Sequence, residues 1–148
     1  MIAIHRTFAA AIACAAFALP LSSAAAEDKS AQKPQKERVV IQVSDADPQK
    51  WNLALNNAKN VQTDLGADKT EVEIVAYGPG IGMLKADAVV ANRIEDAVAA
   101  GVKVVACENT MKAQKLSRDD MNRKVDVVAA GVVQLMRRQQ QGYAYIRP

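Results

Sequence analysis

The chain has 148 residues, with 19 basic and 16 acidic side chains and a formal charge of +3. That length suits one domain with a real core and excludes two. So small a charge excess, with mixed signs, excludes a nucleic-acid footprint.

The first 26 residues read as a secretory signal peptide. His5 and Arg6 form a polar start, and Phe8 to Leu19 is an apolar run too short to span a bilayer. Pro20 breaks the run, and Ala24, Ala25 and Ala26 supply the small residues for cleavage before Glu27. Cys14 lies inside the run with Ala11 where a lipobox carries Leu, so lipidation is not expected. Cleavage would leave 122 residues, 18 basic and 16 acidic, with no His and a single Cys. A mature chain without His has no Ser-His-Asp triad, no Cys-His pair, no imidazole base and no His-ligated metal. We expect export to a Gram-negative periplasm, with no membrane contact after cleavage. There Cys107 has no partner within the chain for a disulfide.

Residues 27–37 are almost wholly polar and include Pro34, so they read as a flexible tether, with order expected from Arg38 to Pro148. Val39-Val40-Ile41-Gln42-Val43 is a β-branched run and predicts a buried strand. Asp47-Pro48 then caps and opens a helix, with Ala54, Ala58, Val61 and Leu65 on one face and Gly66 as its stop. Val72 to Ala76 predicts a second strand, followed by the loop Tyr77-Gly78-Pro79-Gly80-Ile81-Gly82. Val90, Ile94, Ala97 and Val98 mark a second helix that stops at Gly101. Val102 to Ala106 predicts a third strand with Cys107 at its carboxyl end.

Beyond Cys107 the periodicity allows two readings. Met121, Val125, Val128, Val132 and Leu135 fit one long helix from Arg118 to Gln141. Val125 to Val128 is strand-like, however, and Gly131 would interrupt such a helix. Tyr143 to Ile146 predicts a final edge strand, which needs a crossover before it if it is parallel. The alternation of strand and helix predicts an α/β domain: a doubly wound parallel sheet of about five strands, helices on both faces, order 2-1-3-4-5 if the ambiguous segment holds a strand.

In such sheets ligands collect beyond the carboxyl ends of the strands. Three loops meet there: Ser44 to Asp47, the Gly-rich loop, and Cys107-Glu108-Asn109-Thr110. A helix opening near Asn109 would favour a Cys107 thiolate, and Glu108 would oppose it if its carboxylate pointed at the sulfur. The Gly80, Ile81 and Gly82 amides are candidate anion donors. The loop matches neither the dinucleotide fingerprint nor the P-loop, and a structural turn explains it as well. Asp45 stands at the same edge as a binding candidate, although a turn and a cap account for Asp45 and Asp47. Trp51 reads as packing at the start of the first helix. Lys112, Lys115 and Arg118, and the Arg137-Arg138 pair, read as solvated faces.

Four stretches carry a resemblance. They are Ala54 to Asn60, Tyr77 to Ile81, Gly101 to Met111, and Gln141 to Pro148. In this order and spacing the chain resembles the DsrE/DsrF-like family, in particular its exported single-domain members. The resemblance implies a flavodoxin-like sheet and homo-oligomers, commonly trimers or hexamers. It also implies a short helix after Cys107, a strand at Val125 to Val128 and a helix from Gly131. In the sulfur-relay members, which are cytoplasmic, a cysteine after the third strand carries sulfane sulfur as a persulfide, and Cys107 stands at that position.

The expectation is therefore a periplasmic sulfur-handling protein. Cys107 is the nucleophile and carrier, with Asn109, Thr110 and the Gly80-Ile81-Gly82 amides orienting the sulfur. No metal or cofactor is required, and the partner is a sulfur donor or acceptor protein. The alternatives are a non-catalytic oligomeric module binding a small anionic or thiol ligand, and a thiol redox sensor.

Overall fold

The computed structural model describes residues 36–148. The expected signal peptide and all but the end of the tether lie outside the described residues. Strand β1 (Glu37–Val43) begins one residue before the expected start of order and is buried from Val39 onward. Helix α1 (Pro48–Leu65) opens as its cap predicts: the Asp47 carboxylate accepts the Gln49 amide at 2.8 Å, with Pro48 in the first turn. Trp51, Ala54, Leu55 and Ala58 turn inward, and the Trp51 indole donates to the Asp45 carbonyl at 2.7 Å.

Strand β2 (Thr70–Ala76) runs into a 3-10 segment, Gly78–Leu84, before α2 (Ala91–Ala99) and β3 (Lys103–Cys107). The ambiguous third resolves into α3 (Glu108–Ala113), β4 (Asp126–Val128), α4 (Gly131–Gln140) and β5 (Ala144–Ile146). The long-helix alternative is excluded. One residue read as a solvated face holds that region together: the Arg118 guanidinium donates to the carbonyls of Asn122, Arg123 and Val125, at 2.9, 3.1 and 2.7 Å.

All five strands are parallel, in the order β4-β3-β2-β1-β5. The α/β class and the helices on both faces agree with expectation, but the order 2-1-3-4-5 does not. From β1 to β4 each strand is laid beside the last in one direction, and β5 returns to the free side of β1. Right-handed crossovers then place α1, α2 and α3 on one face, with only the reversing helix α4 on the other. The packing agrees. One core joins α1, α2, the 3-10 segment and Met111 of α3; a second joins Val40, Val75 and Val105 to Leu135 of α4. The physical reason for the difference is the pairing of α1 with α2. Arg93 donates to Asn52 and to Asn56 (2.7 Å), and Gln62 donates to the Ala100 carbonyl at 2.9 Å. In the order 2-1-3 those two helices would lie on opposite faces.

Candidate functional site

The corrected order moves the switch point. The chain leaves β3 toward the face of α1 and leaves β4 toward the face of α4, so the loops diverge at the carboxyl ends of β3 and β4, the place where ligands collect in sheets of this kind. Cys107 is the last residue of β3 and pairs with Val128 of β4. It is a free thiol, 5% exposed, on the sheet face that α4 covers.

Burial pushes the Cys107 pKa up, but hydrogen bonds to the sulfur more than offset it. The donors are the Thr110 hydroxyl and the amides of Gly131, Thr110 and Asn109, and the net shift is below the ordinary thiol value. The geometry explains why these groups point inward. Thr110 Oγ1 accepts the Gly78 amide at 2.9 Å, which leaves its own proton for Cys107. The Asn109 amide is shared with the Ala129 carbonyl at 3.2 Å. Gly131 is the first residue of α4, where backbone amides lack partners within the helix. Glu108 does not oppose the thiolate: its carboxylate is turned to Lys112 Nζ at 3.2 Å, out in solvent.

The structure places Asn109 and Thr110 in the first turn of α3 beside Cys107, with Asn109 contributing its backbone. It places the other candidates elsewhere. The Gly80 amide is spent on the Ser44 and Tyr77 carbonyls, both at 3.1 Å, and a Cβ at Gly80 would stand 2.4 Å from the Val43 carbonyl oxygen. The Ile81 side chain is buried in the core under α1, and Gly82 lies against the Trp51 ring. These three residues belong to the 3-10 segment and serve structure, and of that loop Tyr77 and Gly78 reach the site. Gln114 Nε2 pins it further by donating to the Gly78 carbonyl at 3.1 Å. The Asp45 carboxylate is engaged with Lys50 at 3.2 Å and Arg147 at 3.8 Å. Gly131 is the donor that residue reasoning missed. Its available signal was a glycine directly after a strand-like segment, at the start of a helical face.

No group of His, Cys, Asp and Glu suited to holding a metal occurs among the described residues. A groove of about 250 Å³ between α1 and α2, lined by Leu55, Lys59, Arg93 and Asp96, lies apart from the thiol. No helix among the described residues is long and apolar enough to cross a membrane.

A family model described as the DsrE/DsrF-like family matches residues 37–148. No curated protein matches the chain. Among solved structures, it is similar to MTH1491 of Methanobacterium thermoautotrophicum, a protein of unknown function, at 35% identity and a TM-score of 0.73. That match covers 76% of this chain and 100% of the other. It shares its fold with the ychN protein of E. coli, at 13% identity and TM-score 0.63, covering 76% and 99% of the two chains. The same holds for BT1422 of Bacteroides thetaiotaomicron, a conserved protein of unknown function, at 14% identity and TM-score 0.63, covering 76% and 95%.

Proposed function

The chain belongs to the DsrE/DsrF-like family, and from that premise we propose that it handles sulfane sulfur, with Cys107 as nucleophile and carrier. The observation that supports this reading is the close seating of Gly131 on Cys107, together with the lowered thiol pKa that hydrogen bonding from Thr110, Asn109 and Gly131 produces. A thiolate held this way attacks the outer sulfur of a donor persulfide, R–S–SH. The new bond joins Sγ to that sulfur, the donor's S–S bond breaks, and its electron pair leaves on R–S⁻, giving Cys107–S–SH. Transfer onward reverses these roles: an acceptor thiolate takes the outer sulfur and Cys107 departs as thiolate. The same donors that lower its pKa make it the better leaving group.

The reading places the protein in the periplasm, on the strength of residues 1–26, as a homo-oligomer of three or six chains that meets a sulfur donor or acceptor protein. Exposed apolar side chains on and beside α4, Val127, Val132 and Met136, are consistent with a contact surface. The 5% exposure of Cys107 favours one second reading, a non-catalytic module that binds a small anionic or thiol ligand, with the cysteine as a wall residue.

The test is the intact mass of the protein from its own exported compartment, with and without reductant, beside Cys107→Ser. Added sulfur that reductant removes and the variant lacks supports the carrier. An unmodified mass, with a folded-state thiol inert to iodoacetamide, sinks it and leaves the binding module.

A further inference from the structure

Helix α4 presents one stripe to the sheet: Gly131, Gln134, Leu135 and Arg138, at the spacing of a single helical face. Glu73, Val75 and Tyr77 of β2 and its end lie beneath it on the same sheet face. At one end Gly131 rests on Tyr77 and Cys107. In the middle Leu135 meets the valine cluster. At the far end Glu73, only 2% exposed, takes Gln134 Nε2 at 2.5 Å on one oxygen, and Arg138 Nε and Nη2 at 2.7 and 2.5 Å on the other. Arg138 is itself stacked on the Tyr143 ring, 5.0 Å from its centroid. A buried carboxylate is an expensive way to attach a helix, but its fixed fork of donors specifies position where Leu135 alone does not.

We propose that Glu73, acting through Gln134 and Arg138, is a positioning residue for Cys107: it locks α4 along β2 so that the Gly131 amide meets the sulfur about two turns away. The inference rests on reading Cys107 as a working thiolate, and it names the part of the fold that sets that state from a distance. Neutralising Glu73 leaves the Arg138 cation unpaired, and charge alone would then favour the thiolate. A loosened helix does the opposite. The sign of the change therefore separates position from field. The groups nearer the thiol, Glu108 and Lys112 of α3, Tyr77 after β2 and Asp126 of β4, are the same in both proteins.

The experiment is the pH profile of iodoacetamide alkylation of Cys107, with thiolate absorbance near 240 nm alongside, in wild type and Glu73→Gln. Circular dichroism shows whether each is folded. The expected result is a titration displaced upward in Glu73→Gln, with alkylation below the midpoint about tenfold slower, the size of one lost hydrogen bond to a charged group. Leu55→Ala, which opens the core on the other face, should be destabilised without moving the profile. Should Glu73→Gln not fold, Gln134→Ala decides, because it keeps the Arg138 pair and removes only one donor; it should shift the profile in the same direction. A folded Glu73→Gln with an unchanged or downward-shifted profile overturns the proposal, as does an unchanged Gln134→Ala in its place. An ordinary thiol titration in wild type overturns the working thiolate of the preceding section instead. No sulfur donor is needed, so the two failures stay distinct.

Discussion

Gly131 sits directly on Cys107: a Cβ added to the glycine would stand 3.2 Å from the Cβ of the cysteine and 3.0 Å from that of Tyr77. The first residue of α4 must lack a side chain to sit this close to the cysteine. Gly131→Ala should therefore push α4 outward and raise the Cys107 titration, with alkylation below its midpoint slowed about tenfold. Alkylation rates against pH measure this, and a profile identical to wild type would remove Gly131 from the site.

Thr110 does two things with one hydroxyl, accepting from Gly78 and donating to Cys107. Thr110→Val keeps the shape and deletes both bonds. It should slow alkylation at neutral pH about tenfold and cost about 1–2 kcal/mol of stability, because the Gly78 amide loses its partner. Thr110→Ser should stay near wild type. If Val and Ser behave alike, the hydroxyl is not a donor to the sulfur.

The lowered Cys107 pKa fixes the sign of a pH dependence. The folded state holds the thiolate more readily than the unfolded chain, whose thiol titrates at about 8.5. This contribution is fully present above that value and is lost as pH falls through the folded-state pKa. Wild type should thus gain stability over Cys107→Ser as pH rises toward about 8.5. Urea melts of both across that range check it, and a constant difference would contradict the hydrogen-bonded thiolate.

The two glycines on either side of Ile81 should separate sharply. A Cβ at Gly80 meets the Val43 carbonyl oxygen at 2.4 Å, backbone against backbone, whereas at Gly82 it meets the Trp51 ring at 3.3 Å. Gly80→Ala should cost about 3 kcal/mol or more, and Gly82→Ala about 1 kcal/mol. Thermal unfolding tests the ranking, and equal losses would mean that the turn relaxes away from β1.

Much of the fold was legible because local chemistry and tertiary structure agree along it. The Asp47-Pro48 cap, the β-branched run at Val39 and the closing Tyr143 to Ile146 segment each read correctly from a few residues. Strand order was not legible, since periodicity tells which side of a helix is apolar but not which sheet face it covers. The bonds from Arg93 and Gln62 that keep α1 and α2 on one face join groups 37 or more positions apart. Cys107, Asn109 and Thr110 were readable as a continuous stretch after a strand. Gly131 was not, because it enters from another loop. Arg138 read as solvated and is held by Glu73 across 65 positions. Glu73 sits between Val72 and Ile74, and in a sheet covered on both faces neither side of the strand is free for a charge.

Among the described residues, α4 is the one helix on its side of the sheet, and a single buried leucine anchors it to the valines there. Three α-helices and the 3-10 segment share the opposite face. Protection against amide hydrogen exchange should therefore divide by face, with α4 opening at lower free energy than α1. The same excursion uncovers Cys107 and strips it of the Gly131 amide. Reagents would then find the sulfur most accessible at the moment it is least a thiolate, which opposes accessibility to nucleophilicity within one local motion.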